Sequence, residues 1–200
     1  MKIQKTRLMS AHPRAWLATA TFVLLSGCAT IVPPTTTDET TRDTVSEFML
    51  EGRISASDGD SAASGRLEWE HTAGADTWLL YSPIGQIVAQ LVATDAGASL
   101  RTADGQTVFG GSAEAMLPEL LGVPAPVDGL VHWVQAVPRP GARVLSIDGI
   151  GRPTRISDAG WIIDYPEYAT DSPAAMPRRI DARWGEARIR LVIDSWVVSP

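Results

Sequence analysis

From Phe48 onward the chain alternates. Phe48, Leu50 and Ile54 fall on one parity and Met49, Glu51 and Arg53 on the other; Leu67 and Trp69 then interleave with Arg66, Glu68 and Glu70. A period of two sends successive side chains to opposite faces of a strand, so each segment needs a core on one side and water on the other, as in antiparallel sheets. Further strands are read at 77–81, 86–93, 98–103 and 106–109, the last two joined by the hairpin dipeptide Asp104-Gly105. Strands resume at 143–147, 153–157, 161–166, 178–184 and 187–194, with turns at Asp158-Ala159-Gly160 and Gly185-Glu186. That makes about eleven strands without an internal repeat or a helix suited to parallel crossovers. The fold class is mainly β, a single curved antiparallel sheet with helices across one face.

Between Ser112 and Val137 the period becomes helical. Ser112 can cap a helix carrying Ala115, Met116, Leu120 and Leu121, interrupted by Pro118 and closed by Gly122. After Pro124-Ala125-Pro126, Asp128 can cap a second helix with Leu130, Val131, Trp133 and Val134 on one side, ending before Pro138.

One turn is unusual. Ser82-Pro83-Ile84-Gly85 fits a type I turn, with proline presetting φ at the second position and Ile84 at the third. Leaving that isoleucine in water forgoes roughly 1.5–3 kcal/mol of burial. Two arrangements follow from the residues: Ile84 folds back onto the core, or something outside the protein receives it.

The N-terminus sets the compartment. Lys2, Lys5, Arg7 and Arg14 precede the uncharged apolar run Trp16 to Leu25, which reads as a secretory signal over 1–27 and is too short for a membrane span. Leu25-Ser26-Gly27-Cys28 resembles the lipobox of bacterial lipoproteins, which implies that Cys28 becomes the first mature residue and carries an N-acyl diacylglyceryl lipid. Cys28 is the sole cysteine, so no internal disulfide is possible and lipidation would cap a thiol otherwise exposed to oxidation. Several acyl chains at about 0.8 kcal/mol per methylene would anchor the protein lastingly. Ala29 replaces the aspartate that retains enteric lipoproteins in the inner membrane, so the resemblance points to the outer membrane, facing the periplasm. Residues 28–44, rich in Thr, Pro and Asp, read as a flexible tether, with a short entry helix from Asp43 to Phe48 as the alternative to linker; 45–200 is the folded domain.

The mature chain keeps thirteen arginines against twenty-three acidic side chains, a net charge of −10. That balance offers no basic tract for nucleic acid or anionic lipid. His71 and His132 have no second histidine at metal-ligand spacing, and no G-x-S-x-G elbow or phosphate loop is present; Gly110-Gly111-Ser112 reads as a helix start. Asp76, Glu119 and Asp164 show no pairing in the sequence and are read as solvated. Neither a metal nor an enzyme is expected. The arginines at 178, 179, 183, 188 and 190 form the best local basic cluster for a partner, and otherwise a solvated strand face.

The ordered set Gly52-Arg53-Ile54, Ser82-Pro83-Ile84-Gly85, Leu121-Gly122-Val123-Pro124 with Pro126-Val127, Leu130 with His132-Trp133-Val134, Gly160-Trp161 with Tyr165, Met176-Pro177 and Asp194-Ser195-Trp196 resembles the LolB family over roughly 45–197. The resemblance implies an incomplete eleven-strand antiparallel β-barrel whose short helices close an apolar cavity for acyl chains. It also implies a monomer without a catalytic centre, which receives acylated lipoproteins from the periplasmic carrier LolA and inserts them into the inner leaflet of the outer membrane. In that family a hydrophobic side chain projects from the loop matching Ser82 to Gly85 and is needed for delivery, so Ile84 is expected to point outward.

Cavity candidates on the sheet are Leu50, Ile54, Leu67, Trp69, Ile189, Leu191 and Ile193; Leu130, Trp133 and Val134 join them from the helices. Periodicity marks an inward face without distinguishing a hollow interior from a packed one. A ready-made binding site would show as an apolar void of several hundred cubic ångströms. The competing reading is a lipid-anchored assembly or structural lipoprotein that holds a protein partner by its sheet edge. It predicts a packed interior and indifference to Ile84.

Overall fold

Eleven strands join by hydrogen bonds into one antiparallel series with two free edges. The computed structural model describes residues 42–121, 123 and 127–198; the leader, Cys28, residues 29–41, the helix stop at Gly122 and the Pro124-Ala125-Pro126 break lie outside the described residues. In chain order the elements are β1 (Phe48–Ser57), β2 (Ala62–His71), β3 (Ala75–Tyr81), β4 (Ile87–Thr94), β5 (Gly97–Thr102), β6 (Thr107–Gly110), α1 (Ala113–Leu121), α2 (Val127–Val134), β7 (Arg143–Ile147), β8 (Pro153–Asp158), β9 (Trp161–Tyr168), β10 (Pro177–Trp184) and β11 (Ala187–Val198). Their order across the sheet is β6-β5-β4-β3-β2-β1-β11-β10-β9-β8-β7. The first and last strands therefore pair at the centre, while β6 and β7 stay unjoined and leave an incomplete barrel. Both helices lie between β6 and β7 in sequence.

The alternation translates directly into burial. Phe48, Leu50, Ile54 and Ala56 of β1, Leu67 and Trp69 of β2 and Ile189, Leu191 and Ile193 of β11 all face the core. β1 and β2 run further than the pattern predicts, because the Ser- and Ala-rich ends carry no amphipathic signal yet continue the ladder to Ser57↔Ala62. At the β1–β11 bulge between Glu51 and Gly52, a Cβ on Gly52 would lie 2.4 Å from the Val192 carbonyl oxygen. Only glycine allows that backbone approach.

α1 starts as its sequence predicts, with the Ala115 N–H donating to Ser112 Oγ at 3.4 Å. Its buried side is Ala113, Met116, Leu117, Leu120 and Leu121, with Ala115 and Pro118 outside. α2 begins at Val127, so Asp128 occupies its first turn rather than the cap. Asp43 to Glu47 is an irregular lead into β1 and not a helix. It is fastened nonetheless: Arg42 donates to the carbonyls of Pro173 and Ala175, and the Val45 N–H donates to Gln135 Oε1 at 2.7 Å.

Candidate functional site

The concave face holds a small apolar cavity of about 40 Å³. Its walls include Ile54, Leu67, Trp69, Ile189 and Leu191 from the sheet and Leu130, Trp133 and Val134 from α2, eight of the ten residues named from sequence. Leu50 and Ile193 do not reach it; both are buried in the core near the Phe48 end of β1. Missed by sequence reasoning were Trp78, Ile180 and Ala182, which share the buried parity of their strands, and Leu117, Leu120 and Leu121 of α1. The expected void of several hundred cubic ångströms is not open in this state. A water's share of liquid is about 30 Å³, so the apolar sides of α1 and α2 fill the concavity almost completely.

The two helices are held differently. Trp133 Nε1 donates to Asp158 Oδ2 at 2.7 Å, and Arg139 Nε donates to the same oxygen at 2.7 Å, fixing the C-terminal end of α2 to the β8–β9 turn. Gln135, itself buried, adds bonds to Val45 on both its carboxamide atoms. α1 rests on β4, β5 and α2 by apolar packing. Asp158→Ala would leave a buried indole N–H and a guanidinium without their acceptor, and is expected to cost about 2–4 kcal/mol in denaturant unfolding, with α2 loosened first.

At the far end of β3 the second feature appears. The Gly85 N–H donates to the Ser82 carbonyl at 2.9 Å, the Ser82 N–H donates to the Gln86 carbonyl at 2.8 Å, and Gly85 has φ +82°. This is a type I turn completed by a left-handed residue, a three-residue hairpin loop. Ile84 at its apex is 80% exposed and Ile87 beside it is 52% exposed. The outward arrangement is therefore the one adopted. The β5–β6 turn repeats the geometry, with Gly105 N–H to Thr102 carbonyl at 2.9 Å, Thr102 N–H to Gln106 carbonyl at 3.0 Å and Gly105 at φ +83°. There the apex is Asp104. The turn itself thus has no need of an apolar apex.

The family model described as "Outer membrane lipoprotein LolB" matches residues 46–196. The chain belongs to the LolB family. An "Outer-membrane lipoprotein LolB" of Azoarcus sp. (strain BH72) is 46% identical over 182 residues, covering 91% of this chain and 94% of that one. Another LolB, of Thiobacillus denitrificans, is 35% identical over 177 residues, 88% of this chain and 93% of its own. A crystal structure of a DUF1329 family protein from Desulfovibrio piger superposes with a TM-score of 0.50 at 8% identity, covering 78% of this chain and 87% of that chain, a likeness of fold alone.

On this LolB domain the polar side chains are mostly spent on one another. Asp76 is not solvated: it accepts from Trp69 Nε1 at 2.7 Å and pairs with His71 Nδ1 at 2.8 Å. Asp164 pairs with Arg155 and Arg183. Of the five clustered arginines, Arg178 meets Glu167, Arg179 and Arg190 meet Asp181, and Arg183 meets Asp164, while Arg188 donates to the carbonyls of Gly185 and Ala187. The cluster is largely engaged on its own face, with five arginines against the three carboxylates Glu167, Asp181 and Asp164, which offset its positive charge only in part. Among the described residues no group of three or more His, Cys, Asp or Glu could hold a metal ion.

Proposed function

We propose that this LolB-family chain is an outer-membrane lipoprotein that accepts acylated lipoproteins from a LolA-like periplasmic carrier as a monomer, and inserts them into the inner leaflet of the outer membrane. The single observation that carries the reading is an isoleucine left 80% exposed at the apex of a turn whose twin carries aspartate there. A free energy of roughly 1.5–3 kcal/mol is forgone there in water and recovered in lipid.

Client acyl chains take the place now filled by Leu117, Leu120 and Leu121 as α1 lifts from the sheet, with α2 kept by its bonds to Asp158 and Val45. A triacylated client carries on the order of forty methylenes at about 0.8 kcal/mol each, so its chains need an apolar wall throughout transfer. With no nucleotide-binding motif, the wall must hold them more tightly than the carrier and less tightly than a bilayer. The role is that of a carrier and not of an enzyme. Its only lipid group is the anchor on Cys28.

A handover assay tests this. The mature chain with Cys28→Ala, mixed with carrier–client complex, should co-elute with the client and release it on addition of liposomes. A client that stays on the carrier would refute the reading. The partner-by-sheet-edge alternative has no such support, since it leaves the exposure of Ile84 without a cause.

A further inference from the structure

Among the described residues β6 and β7 are the two open edges of the sheet, and they are built differently. β7 opens with Arg143 and shifts register twice against β8, between Val144 and Ser146 and between Ser146 and Ile147. Charge and bulges are what natural edges carry against the addition of a further strand. β6 has neither. Its register with β5 is continuous from Arg101↔Thr107 to Ala98↔Gly110, and no residue from Gly105 to Ala113 is charged. Phe109, paired with Ser99 on the outer side, is 79% exposed.

The hairpin determines which main-chain groups of β6 face outward. The Thr102 N–H donates to the Gln106 carbonyl at 3.0 Å, so bonded pairs alternate from there, Leu100 with Val108 and Ala98 with Gly110. The Gly110 carbonyl oxygen accordingly lies toward β5, 3.0 Å from where a Cβ on Gly97 would stand. Thr107 and Phe109 turn their N–H and C=O groups away from β5, two donors and two acceptors at strand spacing. α1 follows β6 after Gly111-Ser112 and packs on β4, β5 and β6, with Met116 so close to Gly110 that a Cβ there would meet Met116 Cε at 2.9 Å. The open edge is thus the border of the ground that α1 covers.

We propose that β6 receives the client's own polypeptide: the extended residues directly after its acylated cysteine add to this edge as a further strand while the acyl chains lie beneath α1. The inference rests on the acyl site proposed under α1 and adds the peptide half of the client. Covalent continuity identifies the occupant, because a peptide joined to chains under α1 leaves that space across its border. Main-chain bonding reads no side chain, which suits a receptor whose clients differ in sequence.

The test offers the mature chain with Cys28→Ala two probes together in detergent micelles, a triacylated cysteine amide and the same compound extended by five uncharged residues. Native mass spectrometry reads the bound ratio. The tailed probe should be preferred about tenfold, the net of its main-chain bonds and the ordering of the tail, and a tail of different uncharged sequence should be preferred equally. Methylating every peptide nitrogen of the tail should remove the preference. Phe109→Pro deletes one outward donor at an edge position where proline fits and should cut the preference to about twofold or less; Phe109→Ala, which keeps that donor, should retain most of it. Both variants should bind the tailless probe as wild type does. A wild type without preference for the tail, or a preference that survives methylation or Phe109→Pro, overturns the proposal. So does a wild type that sediments as a dimer and becomes monomeric with Phe109→Pro, which would give the edge to a second copy. If neither probe binds, the acyl site itself fails and the peptide strand falls with it.

Discussion

Ile84→Glu, placed in the mature chain with Cys28→Ala, takes up client from the carrier at the wild-type rate and releases it into liposomes at least a hundredfold more slowly. Two effects add. The isoleucine contributes roughly 1.5–3 kcal/mol when it leaves water, and a carboxylate entering the bilayer interface costs on the order of 1–3 kcal/mol more. Folding is not the cause, because the twin turn already carries Asp104 at its apex with the same hydrogen bonds and a left-handed glycine. Unfolding stability should change by less than about 0.5 kcal/mol. Ile84→Leu should behave as wild type. Loss of uptake together with release, or loss of neither, contradicts the role given to this turn.

The second large effect concerns α1. The cavity of about 40 Å³ cannot hold an acyl chain unless something moves, and α1, short, carrying Pro118 within it and held by apolar contacts, is the element that can. Glu114 on α1 and Asp95 in the β4–β5 turn line one surface groove. Cys28 is the only native cysteine, so Cys28→Ala is a clean background for Glu114→Cys with Asp95→Cys. Bridging that pair with a short cleavable bismaleimide should lower client uptake by an order of magnitude or more, and cleavage should restore it. Uptake that persists in the bridged protein means the helix is not the lid. A stability gain on bridging is expected in either case and does not distinguish them.

Much of this was legible in the sequence, for reasons that are specific. Alternation fixed which side of β1, β2 and β11 is buried because a one-residue slip would have put Glu51, Arg53 and Glu68 inside. Ile84 was ambiguous from its own residues, since a type I turn accepts either orientation; the family resemblance separated them and the exposed apex agrees. The interior was harder. Whether an apolar concavity is hollow depends on how far α1 and α2 sink into it, a matter of tertiary packing that periodicity does not encode. Leu50 and Ile193 share the inward parity of the cavity residues but lie further along their strands. The bonds Trp69–Asp76 and Trp133–Asp158 differ again: the first links strand neighbours and the second spans twenty-five positions, and neither follows a helical or strand spacing rule. The same holds for the arginine cluster, whose carboxylate partners Glu167, Asp164 and Asp181 come from β9 and β10 and offset part of its charge.

The central claim is that acyl chains enter the space between the sheet and its helices, where Trp69, Trp78 and Trp133 stand. Tryptophan emission on handover of a client with brominated acyl chains reads this directly, because bromine quenches only on contact. The account predicts loss of the buried, blue-shifted emission as the client arrives and its recovery on release into liposomes. A client bound with that emission intact, and only the half-exposed Trp184 affected, would place the chains outside the barrel and contradict it.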